Sequence, residues 1–145
     1  MPQAAPEWTR DTPWRQGHAL PSEAAAAFDL SHHSHPDETL VLVVSHDCDL
    51  ANANLDVEPD VEVIVGRALP KPDGNYAWGK TPKTLHLEVA CDGVQVFIEL
   101  QARRKVTLPK AALAAFAPRE DFALDATGVA VLRSWLASRY SRAAF

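Results

Sequence analysis

The sequence predicts an α+β domain: a small, mostly antiparallel β-sheet or partly closed barrel with C-terminal helices packed on one side. Three observations carry this expectation. Leu40-Val41-Leu42-Val43-Val44 is an unbroken apolar run, three of its residues β-branched, which suits a strand buried on both faces. From Thr84 to Leu100 apolar and polar residues alternate on either side of Asp92-Gly93, the pattern of a hairpin closed by a two-residue turn. After Pro109 the alternation gives way to helical spacing, with Val129, Leu132, Trp135, Leu136 and Tyr140 on one face.

The totals set the frame for these elements. A chain of 145 residues, 47% hydrophobic, makes one ordinary domain spanning 1–145. No apolar stretch approaches the length of a membrane span. The N-terminal segment Met1 to Trp8 has neither a basic region nor an apolar core, so no secretory signal is expected and the cytoplasm is the expected compartment. Two cysteines, Cys48 and Cys91, are too few for a disulfide framework or a Cys-rich zinc site. The formal charge of −5 argues against broad binding to nucleic acid, and Arg103-Arg104-Lys105 is the one run able to supply a local basic patch.

Taken in order, residues 1–13 read as an extended arm that docks through Trp8 and Trp14. Trp14 to His18 suits a short first strand with a glycine bend, and Ser22 suits the cap of a short Ala-rich helix. Ser31 to Glu38 is a polar loop containing His32, His33 and His35. Beyond the central run, Asn52 and Asn54 favour turns, and Val61, Val63 and Val65 mark a second strand. Residues 68–83, rich in proline, read as a long exposed loop. A further strand is expected from about Arg103 to Thr107, followed by helices over 109–117 and 127–141, the second capped by Asp125 or Thr127.

The densest chemistry follows the central strand at once: Ser45-His46-Asp47-Cys48-Asp49. As a structural turn, the two aspartates would accept backbone N–H bonds and Cys48 would pack as a small apolar residue. As a metal centre, His46 with Asp47 or Asp49 and a histidine from His32, His33 or His35 would offer a divalent ion an N/O ligand set. As a nucleophile, Cys48 would need a lowered thiol pKa and a nearby base, with His46 two residues away. As a nucleic-acid site, Ser45 or the carboxylates would act with Arg103 and Arg104 as phosphate clamps, although those arginines equally suit a solvated strand edge.

A family likeness bears on the choice. The Trp/Gly-containing entry segment, the strand ending Val43-Val44-Ser45 and the short strands closing on a C-terminal helix resemble the SH3-like barrel of PemK/MazF-type toxins. More narrowly, Val43 to Ala51, the Glu58-Pro59 turn and Trp135 to Tyr140 resemble a group of uncharacterised bacterial proteins. In PemK/MazF endoribonucleases a hydroxyl at the end of this strand acts with an arginine from the first hairpin loop. Ser45 matches the hydroxyl, while the Arg-Pro loop is replaced by histidines followed by Pro36-Asp37-Glu38.

The resemblance implies a bacterial toxin- or phage-defence-type domain acting on RNA or DNA as a ribonuclease-like hydrolase. The resemblance carries over Ser45 alone; by their chemistry, Ser45, His46, Asp47, Cys48 and Asp49 are the catalytic candidates, and Arg103 and Arg104 the nucleic-acid contacts. The alternative is a non-catalytic acidic module that binds a partner protein, such as an antitoxin, immunity or adaptor protein. No membrane partner is expected, and the oligomeric state is left open.

Overall fold

The computed structural model describes residues 7–69 and 83–143, with side chains described as far as Ser138. The chain forms an α+β domain in which one antiparallel sheet curls into a half-barrel with the C-terminal helix packed beside it. The strands are β1 (Thr39–Val43), β2 (Asp60–Leu69), β3 (Thr84–Cys91), β4 (Val94–Gln101), β5 (Lys105–Pro109) and the short β6 (Phe122–Ala123). The helices are α1 (Ser22–Ala27), α2 (Asp47–Ala51), α3 (Lys110–Leu113) and α4 (Ala126–Ala143). The sheet order is β1-β2-β4-β3-β6, and β5 pairs with the first half of β2.

The central apolar run behaves as its composition demands. Leu40, Leu42 and Val44 face one core with Ile64, Leu85, Ile98 and the α4 residues Leu132 and Trp135. Val41 and Val43 face a second core with Val61, Val63, Leu50, Leu108 and the tryptophans of the arm. β1 is therefore buried on both sides. The short helices and the arm close one face, and α4 closes the other.

β2 is the longest strand because it serves two partners on one edge. Residues 60–64 pair with β5 and residues 67–69 with β4, while β1 lies along its other edge. Gly66 marks the changeover: a Cβ there would run into the backbone oxygen of Glu99 and the Leu100 side chain. Between β4 and β5, a 3-10 turn at Ala102–Arg104 carries the chain around this corner. The run expected to begin a strand at Arg103 thus begins one at Lys105, with both arginines on the turn.

The hairpin matches its pattern. Cys91 pairs with Val94 across Asp92 and Gly93, both at positive φ (53° and 76°), the geometry of a two-residue turn that follows the strand twist. Asp125 caps α4 by accepting the Gly128 N–H at 2.7 Å. Trp8 and Trp14 dock as expected, donating their indole N–H groups to the carbonyls of Leu50 (2.7 Å) and Phe116 (3.1 Å).

Three expectations are corrected locally. Trp14 to His18 is not a strand; Ala19 makes a single bridge to Leu42, and Gly17 takes the bend at φ 93°. Pro21, not Ser22, precedes α1, and no side chain caps it. The expected helix over 109–117 is regular only over Lys110–Leu113 before it relaxes into turns. The turn expected after the central strand takes the form of a helical turn over Asp47–Ala51. Most of the expected 68–83 loop lies outside the described residues.

Candidate nucleic-acid interface

Each group of the Ser45–Asp49 cluster has a definite place. Ser45 is buried, and its Oγ accepts the Glu62 N–H at 2.8 Å, extending the β1–β2 pairing by a side-chain bond. Asp47 Oδ1 accepts the Gln16 N–H at 2.8 Å, and Oδ2 lies 3.4 Å from Arg133 Nη2. Buried Gln16 completes the clasp, donating to the Val44 carbonyl (2.9 Å) and accepting from Arg133 Nε (2.8 Å). The arm, the end of β1, α2 and α4 are thereby tied together at one point.

His46 and Cys48 are exposed beside this clasp. The Cys48 thiol donates to Asp49 Oδ1 at 4.0 Å. At the far end of α2, Lys110 is fully buried and donates to the carbonyls of Asp49 (2.6 Å) and Asn52 (2.9 Å). It adds a donor to the carbonyls at the end of α2, that of Asp49 being shared with the Asn52 N–H at 3.3 Å. Burial lowers the Lys110 pKa, while Glu58, Asp49 and Asp60 nearby favour the charged form.

The histidine loop sits at the other end of β1. Five strand residues at about 3.3 Å each separate it from the Ser45–Asp49 segment. The imagined ligand set of His46, an aspartate and a loop histidine is therefore not assembled. Among the described residues, no group of three His, Cys, Asp or Glu side chains is placed to hold a metal ion.

What the loop does meet is the arginine run. His32 and His33 stack with ring centroids 4.3 Å apart. With Asp29, Leu30, Ser31, Val65, Arg103, Arg104, Lys105 and Val106 they line a cleft of ≈ 300 Å³. It opens beside the corner where β4 and β5 part along β2. Arg104 Nε is enclosed without a hydrogen-bond partner, and Lys105 pairs with Glu62 at 3.4 Å.

Burial, then His33, Arg67 and His35, hold the His32 imidazole below its ordinary pKa. Desolvation, then Arg104 and Arg103, do the same to His33. Burial and the positive neighbours thus act in the same direction on both imidazoles, against protonation.

A row of polar groups leads from the loop across the sheet. His35 Nε2 lies 3.1 Å from Arg67 Nη1, Arg67 Nε lies 3.3 Å from Glu99 Oε1, and Glu99 Oε2 lies 2.9 Å from His86 Nε2. Arg67 and Glu99 are directly opposed on β2 and β4, as are Glu99 and His86 on β4 and β3. Burial opposes ionisation of Glu99, yet hydrogen bonds from His86 and Arg67 hold its carboxyl below the usual range.

No family model, curated protein or solved structure matches the chain.

Of the residues singled out from sequence, Arg103 and Arg104 come together with His32 and His33, whereas Ser45 to Asp49 stand apart from them. Sequence reasoning missed Arg67, Glu99, Gln16 and Lys110. The first two become visible only through the β2–β4 register. Lys110, at the head of an Ala-rich segment, carried no signal that it would be buried.

Proposed function

We propose that the domain binds a nucleic-acid strand through the cleft between the histidine loop and the Ala102–Arg104 turn, in the manner of a toxin- or phage-defence-type protein. One observation carries the reading: three consecutive cations converge with two imidazoles on one concavity of a chain whose net charge is −5. An acidic chain gains little non-specific affinity for phosphates, so a local concentration of charge is what makes contact possible. Two arginines offer planar donor forks suited to phosphate oxygens. Leu30, Val65 and Val106 give the cleft an apolar floor for a base or sugar.

A second reading, ribonuclease-like hydrolysis, is favoured by the row His35–Arg67–Glu99–His86. It holds imidazoles, a guanidinium and a carboxylate in hydrogen-bonded sequence beside the cleft, the group types that proton transfer and phosphate stabilisation require.

The test is fluorescence anisotropy of a labelled single-stranded oligonucleotide across a salt series. Three phosphate contacts predict a log–log salt slope of about −2, falling by about 0.7 for each cation removed. The Arg103→Ala/Arg104→Ala double variant should weaken binding and flatten the slope accordingly. Absence of binding at about 50 mM salt would reject the reading and favour the protein-binding alternative.

A further inference from the structure

We propose that the cleft takes a dianionic phosphate monoester, and that His33, exposed and stacked on His32, takes up a proton as this group binds. The inference rests on the proposed nucleic-acid reading and deepens it by naming the part of the ligand that the cleft recognises. At ≈ 300 Å³, the space suits one phosphorylated nucleotide, such as the end of a strand, and is at the small end for ligand sites.

The charges facing it define its preference. Arg103, Arg104 and Lys105 are cationic; Asp29 lines the same space, and Glu62 engages Lys105. Three cations against these two carboxylates leave a net positive site, with Arg67 and His35 behind the loop and Glu99 paired to Arg67. Arg104 Nε, enclosed and without a partner, is a donor that an entering phosphate oxygen would satisfy.

A doubly charged phosphate adds one more negative charge than an internal phosphodiester. The imidazoles are where that extra charge is answered. His32 Nδ1 already accepts the Ser34 and His35 backbone N–H groups (3.2 and 3.1 Å), so the proton goes to His33, which lies ring on ring with His32 at 4.3 Å and whose neighbours Arg104 and Arg103 oppose its protonation in the free protein. A dianion in the cleft reverses the local sign and favours imidazolium. Binding and protonation are then linked: each strengthens the other. The phosphate monoester should therefore bind more tightly as the pH falls towards 6, until the phosphate takes up its own second proton near pH 6.

The shared chemistry has two sources, the phosphorylated end of a strand and a free nucleotide. Isothermal titration calorimetry near neutral pH, in two buffers of different ionisation enthalpy, separates the cases. The ligands are a short oligonucleotide with a 5′ phosphate, the same strand with a 5′ hydroxyl, and a free nucleoside monophosphate. The expected result is at least about tenfold tighter binding of the phosphorylated strand, one further charge–imidazole interaction being worth about 1.4 kcal/mol. Buffer-dependent heats should show proton uptake, and His33→Gln should reduce that uptake while leaving the fold intact.

Equal or tighter binding of the free nucleotide also supports the monoester chemistry and assigns the source to free nucleotides. Equal binding of the 5′-phosphate and 5′-hydroxyl strands, or tighter binding without proton uptake, would overturn the inference and leave the nucleic-acid reading standing. Binding of none of the three would overturn both.

Discussion

Removing the Asp47 carboxylate tests whether the Ser45–Asp49 cluster is a clasp or a reactive centre. In Asp47→Ala the Gln16 N–H, bonded at 2.8 Å in the folded protein, loses its acceptor in a residue only 5% exposed. A hydrogen bond to an ionised group contributes about 1.5–3 kcal/mol, and a buried donor left unmet costs about as much. The Arg133 contact adds little: at 3.4 Å, with side chains 52% and 44% exposed, it is worth about 0–1 kcal/mol after solvent screening. The sum is about 1.5–4 kcal/mol, which for a domain of this size lowers Tm by about 4–16 °C. Asp47→Asn keeps an acceptor oxygen and should lose about half as much. Urea titration followed by tryptophan fluorescence reads the loss, because Trp8, Trp14 and Trp135 are all buried. If Asp47→Ala unfolds within about 0.5 kcal/mol of wild type, the clasp contributes nothing and the carboxylate is free for chemistry.

Two further substitutions probe the ionisable groups. Lys110→Met should destabilise by about 1–3 kcal/mol at neutral pH, because two buried carbonyls lose a donor. Since burial lowers the folded Lys110 pKa, the folded state releases its proton before the unfolded state does. The wild-type contribution therefore rises as pH climbs through the folded value towards the ordinary 10.5, and a pH series of denaturation curves should show that rise missing in the variant. Glu99→Gln should cost about 1–3 kcal/mol at neutral pH by weakening bonds to Arg67 and His86. Its folded pKa is depressed, so the wild-type advantage is complete above the ordinary 4.5 and disappears as pH falls through the folded value; an advantage unchanged in acid would contradict this.

Periodicity reveals which residues face a core, and here it revealed the two-sided burial of Leu40–Val44, the Asp92-Gly93 hairpin and the apolar face of α4. Each is a local pattern with a single geometric solution. The 3-10 turn at Ala102–Arg104 was not legible, because it results from β4 and β5 sharing one edge of β2. The candidate site was legible as residue types and not as an assembly. Arg103 and Arg104 carried the right chemistry in sequence, and three histidines were visible in one loop. Nothing local announces that some seventy residues of intervening chain bring them to a common cleft. In the Ser45–Asp49 segment, Ser45 and Asp47 carry reactive groups whose partners include the backbone N–H donors of Glu62 and Gln16, a pairing that no local pattern announces.

The most direct measurement of the central claim is a two-dimensional ¹H–¹⁵N NMR titration of the assigned protein with a short single-stranded oligonucleotide. The account predicts chemical-shift changes confined to the cleft: Asp29 to His33, Val65 and Arg103 to Val106. Ser45 to Asp49, at the far end of β1, should stay unmoved. Shifts centred on Ser45 to Asp49, with the cleft residues silent, would contradict it.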